Sequence, residues 1–172
     1  MRLKYKNGEE VSDSIGLLIS ILVRYPEVSS TNYDPENSIL TLSFTLTKIN
    51  DENKINCFIE KFVTCLETLN FLEDREPSII EIKHITYDKL IMLEIQRDVN
   101  TITHSEIALI ISLLQEEFTH NIVADDNDSF MEEDLQMQEE LIVNMLENLK
   151  ESNLGKKLIA FREEGRVLVF NK

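Results

Sequence analysis

Glycine is scarce in this chain, with four residues at positions 8, 16, 155 and 165 out of 172. Loops that cradle phosphate need clustered glycines, so that backbone N–H groups can approach the ligand. None of these four stands close enough to another, which removes the dinucleotide and P-loop fingerprints. Cysteine is nearly as rare: Cys57 and Cys65 are the only two. They fall eight residues apart in a segment of helical periodicity, so their Cα atoms lie ~12 Å apart at the helical rise, too far for a disulfide. Without a Cys-x-x-Cys they read as reduced thiols of a cytosolic protein.

Long apolar runs are missing too. The longest stretch, Ile15 to Val23, is broken by Gly16 and Ser20 and stops at Arg24, Tyr25 and Pro26, well short of a bilayer span. Arg2, Lys4 and Lys6 are followed by Glu9, Glu10 and Asp13 rather than by the apolar core of a signal peptide. The expectation is a cytoplasmic protein. Basic residues are few, 17 against 32 acids, for a net charge of −15. Nucleic-acid affinity comes mostly from Lys and Arg neutralising phosphates, so no nucleic-acid partner is expected, and no anionic membrane.

Catalytic signatures are equally sparse. No serine sits in a Gly-x-Ser-x-Gly or similar context for nucleophilic attack. Of the three histidines, His104 and His120 bracket one expected helix ~24 Å apart, and His84 has no patterned Cys or His neighbour, so no zinc site is expected. The strand expected over 89–97 has no aromatic residue and that over 39–47 only Phe44, which leaves no base-stacking platform. The chain reads as a non-enzyme with no cofactor.

What is present is an ordinary globular composition, 42% hydrophobic and 28% charged, in a length that suits one well-buried core. A short strand is expected over Met1–Lys6, then a helix over 9–25 that is apolar on most sides and therefore buried on several. Residues 28–33 and 39–47 read as a hairpin around Asp34-Pro35-Glu36-Asn37, with Leu40, Leu42, Phe44 and Leu46 alternating against polar residues. A helix follows over 51–72, then a second hairpin over 79–86 and 89–97. Thr103-His104-Ser105-Glu106 has the pattern of a capping box at a helix start, and 121–124 reads as a short strand. Together, residues 38–124 follow the βαββαβ order of a ferredoxin-like sandwich. The expected class is α+β, with a core domain over 1–124.

Residues 125–172 are expected to form an acidic linker, an amphipathic helix over 129–153 opened by a second capping pattern at Ser129, and a terminal hairpin. They pack on the core or on a second subunit. Asp125, Asp126, Asp128 and Glu132 are the candidates for a hard cation, but Phe130 or Met131 stands where a calcium loop needs its glycine. Solvation and the helix dipole explain these acids equally well. In the helix, Met131, Leu135, Gln138, Ile142, Met145 and Leu149 follow a 4-3-4-3-4 spacing, a short seam for the chain's own core or for a partner. Charge is uneven along the chain: residues 1–115 sum to −7, 116–147 to −11 and 148–172 to +3. These features point to a cytoplasmic protein-interaction or regulatory module, with a protein partner or a second copy as its target. A small-molecule-sensing domain and a metal-dependent enzyme using the 125–134 acids are the alternatives.

Overall fold

The computed structural model describes residues 13–47, 49–124, 132–150 and 155–171. Ten elements follow one another: α1 (Asp13–Arg24), β1 (Ser30–Asp34), β2 (Ile39–Thr47), α2 (Glu52–Leu72), β3 (Ile80–Tyr87), β4 (Leu90–Asp98), α3 (His104–Phe118), α4 (Glu132–Leu149), β5 (Leu158–Glu163) and β6 (Arg166–Asn171). The class is α+β. The strand expected over 1–6 and the cap expected at Ser129 lie outside the described residues.

Local chemistry sets the turns. Asp34 Oδ1 accepts from the backbone N–H groups of Glu36 and Asn37 at 3.1 and 3.4 Å, which closes the β1–β2 turn. At the β5–β6 turn Glu164 and Gly165 both have positive φ, 49° and 77°, the geometry whose twist matches that of paired strands. The Asp51 side chain accepts from Asn53 N–H at the start of α2, and that of Thr103 from Glu106 N–H at the start of α3. The capping box is only half realised at Thr103. Glu106 does not reach back to the cap; its side chain is fully buried and bonds Arg97.

All six strands join one antiparallel sheet in the order β3-β4-β2-β1-β5-β6. This order does not establish the ferredoxin-like sandwich expected for 38–124. β4 lies between β2 and β3, but the stretch expected as a fourth strand makes a single bridge, Ile122 to Leu46. The free side of β2 is taken by β1 over five residue pairs. A tight four-residue turn brings β1 back onto β2 at little loop-closure cost, and β1 in turn accepts β5. The C-terminal hairpin thus extends the same sheet as the core strands.

One sheet face carries the core. Leu40, Leu42, Phe44 and Leu46 of β2 lie beside Ile91, Leu93 and Ile95 of β4, and with Leu158 and Ala160 of β5 they are at most 4% exposed. Phe58, Phe62 and Leu66 of α2, Ile107, Ile110 and Leu114 of α3, and Ile142 and Leu146 of α4 close over them. α1 is apolar on several sides because it lies between the sheet and α4. Leu17, Leu18, Ile21 and Leu22 are at most 1% exposed, and Gly16 lets Met145 approach so closely that a Cβ there would sit 2.6 Å from its Cε. The Arg162 guanidinium of β5 donates to the carbonyl oxygens of Leu22, Tyr25 and Val28 at 2.6, 3.1 and 2.9 Å, satisfying the C-terminal end of α1.

Candidate functional site

The sequence candidates scatter. Asp125, Asp126, Asp128 and Met131 lie outside the described residues, and Glu132 is exposed in the first turn of α4. Among the described residues no three His, Cys, Asp or Glu side chains are grouped to hold a metal ion. Of the seam, Leu135 is half-buried, Ile142 and Leu149 are in the core, and Met145 packs on it against Gly16. That face of α4 is covered by the chain's own α1, and α4 shows Met137 and Val143 to solvent instead.

Sequence reasoning missed a buried ionic cluster under the N-terminus of α3. Arg97 of β4 is 1% exposed and lies on the helix-covered face between Leu40 and Ile80. Its guanidinium donates to both carboxylate oxygens of Glu106, at 2.9 Å from Nη2 to Oε1, and to Asp98, and Nη1 donates to Ile79 O and Thr101 Oγ1 at 3.1 Å. Asn70, near the end of α2, donates to Glu106 Oε1 at 2.6 Å and to Leu66 O at 2.8 Å. Burial alone would raise the Asp98 carboxyl, but the Thr101 hydroxyl, the Arg97 guanidinium and the Ile79 N–H outweigh it and hold it below the usual carboxylate range. With Arg97, Asn70 and Glu106 at most 1% exposed, a substrate has no access to their charges. The cluster ties α2, α3 and β4 to Ile79, the residue that leads into β3.

A second ionic group opens to solvent. Arg24 Nε and Nη2 both donate to Glu139 Oε1 of α4, at 2.9 and 2.7 Å, and the guanidinium lies 4.8 Å from the centre of the Tyr25 ring. The Tyr25 hydroxyl stands 2.9 Å from His104 Nε2 at the start of α3. Burial pushes the Tyr25 phenol up to about 12, with Arg24 opposing and Glu139 and Glu27 adding to it. Burial also lowers the His104 imidazole, against Glu139 and with Arg24. Beside His104 runs a cleft of about 580 Å³ lined by Gln136, Glu139, Glu140, Val143 and Asn144. Its partners come from α1 and the residue after it, α3 and α4, with Tyr25 and His104 79 positions apart, so no local motif announces it.

The third feature is the other face of the sheet, which none of the described helices covers. At its β3–β4 end Tyr87, Leu90 and Thr47 form one cross-strand row and Ile85, Met92 and Thr45 the next. Tyr87, Leu90 and Ile85 are 60%, 45% and 41% exposed. Next to them a groove of about 550 Å³ is lined by Thr47, Ile49, Asn50, Asp88, Lys89 and Leu90. The middle of the face is polar, with Thr41, Ser43, Asn32, Glu94 and Gln96, and the β5–β6 end is apolar again, where Phe161 and Phe170 stack with ring centres 5.5 Å apart. The alternation of residues 79–97 announced two strands. It could not say that none of the described helices would cover one of their faces.

The chain matches no protein-family model, no curated protein and no solved structure. No helix among the described residues is long and apolar enough to cross a membrane.

Proposed function

We propose that this chain is a non-enzymatic protein-interaction module of the cytoplasm, and that the β3–β4 end of its uncovered sheet face receives an apolar segment of a protein partner. The observation that carries the reading is the grouping of exposed Tyr87, Leu90 and Ile85 beside a groove rimmed by Asp88, Lys89 and Asn50. An apolar patch bordered by polar groups is a common form of protein-binding surface. Covering it would return about 25 cal/mol for each Å² of apolar surface withdrawn from water. Cys57 and Cys65, both exposed thiols on α2, suit a reducing compartment.

The test compares the wild-type chain, immobilised in lysate of its own cells, with a Tyr87→Ser/Leu90→Ser double variant and a Phe170→Ser control at the far end of the same face. A specific protein retained by the wild type and the control but lost by the double variant is the expected result. Equal recovery by all three would remove the reading. Because Tyr87 and Leu90 are exposed, the double variant should keep the wild-type melting temperature to within a few degrees.

A further inference from the structure

The two edges of the sheet differ in kind. On β3, Glu81 and Lys83 project from the uncovered face 3.7 Å apart, and charges of this sort discourage an added strand. The other edge, β6, runs Val167-Leu168-Val169-Phe170 between Arg166 and Asn171 with no charge inside. No described strand pairs beyond it. On such an edge every second residue directs its N–H and C=O away from the sheet, a ladder that only another strand completes. Phe170 remains 51% exposed although its ring stacks on Phe161.

From this contrast we infer that β6 is a docking edge for a second copy of this chain, paired antiparallel with its own equivalent about a two-fold axis through Leu168. The period of two restricts the choice of register. Val167 and Val169 face the core and Leu168 and Phe170 the uncovered side, so only registers that keep like faces together preserve both layers. Centring on Leu168 sets it against the partner's Leu168, Val167 against the partner's Val169, and Arg166 against the partner's Phe170. Arg166, the only charged residue of β6, thus meets an aromatic ring rather than another cation, and by symmetry it does so twice. The two sheets become one, with their uncovered faces continuous. This contact lies at the opposite edge from the proposed partner patch and does not depend on it.

The experiment uses size-exclusion chromatography with light scattering on the full chain and on Leu168→Lys and Leu168→Glu. Directly opposed side chains in an antiparallel pair are about 5 Å apart, so either variant sets like charges against each other at the axis. The wild type is expected at twice the chain mass and each variant alone at the chain mass, with far-UV circular dichroism unchanged. An equimolar mixture of the two variants should return to the dimer mass, because Lys then faces Glu. A wild type that stays monomeric at high concentration overturns the inference, and so does a Leu168→Lys chain that remains dimeric or a mixture that stays monomeric. Should a variant misfold, amide hydrogen exchange of the wild type decides instead: protection of 166–171 that is lost on dilution supports the edge contact, and protection independent of concentration overturns it.

Discussion

Arg97 and Arg24 each reach a glutamate through two guanidinium bonds, and each lies beside the first turn of α3, yet the two have little else in common. Arg97 is 1% exposed and its glutamate 0%, with Asp98, Asn70 and Thr101 filling the remaining bonding positions. Arg24 and Glu139 keep 27% and 34% of their side-chain surface in water. The first turn of α3 divides the two regions, turning Glu106 inward to Arg97 and His104 outward to Tyr25. Water makes the difference. A desolvated pair holds its elements in one arrangement because breaking it strands a charge, whereas a solvated pair can separate at little cost.

The largest effect should come from removing the buried partner. Arg97→Ala leaves two carboxylates desolvated and should cost about 3–5 kcal/mol in urea unfolding. A loss below about 1 kcal/mol would mean that water reaches the cluster and that the two regions are alike after all. The Arg97→Ala/Glu106→Ala double variant should cost less than the sum of its single changes, because the Arg97–Glu106 charges are then both gone and only Asp98 is left without its guanidinium.

A smaller effect is expected at His104, and it is readable through pH. Its imidazole titrates below the usual 6.5 in the folded chain, so the unfolded chain binds that proton more tightly. Stability should therefore fall as pH drops through 6.5 toward the lowered folded value and be regained above 6.5. Asp98, held below 3.8, contributes stability above that value that is lost only on further acidification. Thermal melts from pH 2.5 to 7.5 should show the first slope in the wild type and a flatter one in His104→Gln, with the acid limb below 3.8 retained. An unchanged profile in His104→Gln would remove the imidazole as its source.

The smallest effect belongs to the exposed pair. Arg24→Ala should cost under about 1 kcal/mol, and less still in molar salt, which screens solvent-exposed charges. A salt-independent loss of several kcal/mol would place Arg24 with Arg97 and dissolve the contrast.

How far such features were legible follows from the distance over which each is decided. Thr103 announced the start of α3 because a cap acts within three residues, and the alternation of Leu40, Leu42, Phe44 and Leu46 announced β2 because a strand buries every second side chain. Glu106 misled: three residues after Thr103 it has the pattern of a capping partner, but Arg97 on a neighbouring strand bids for its carboxylate more strongly than a backbone N–H does. The heptad spacing of Ile142, Met145 and Leu149 correctly marks one apolar face of a helix. Whether α1 or another molecule meets that face depends on Gly16, more than a hundred residues away.

Glycine is too scarce here for phosphate-cradling loops, and one of the four has a different task, the close contact of α1 with α4. By itself the sequence determined the α+β class, most of the elements and the faces they bury, since these follow from propensity and period over a few residues. Only the tertiary structure decided the strand order, the joining of the C-terminal hairpin to the sheet, the burial of Arg97 and the fact that none of the described helices covers one sheet face. Each of these depends on which distant segments meet, and free energies of pairing between distant segments leave no local periodicity to read.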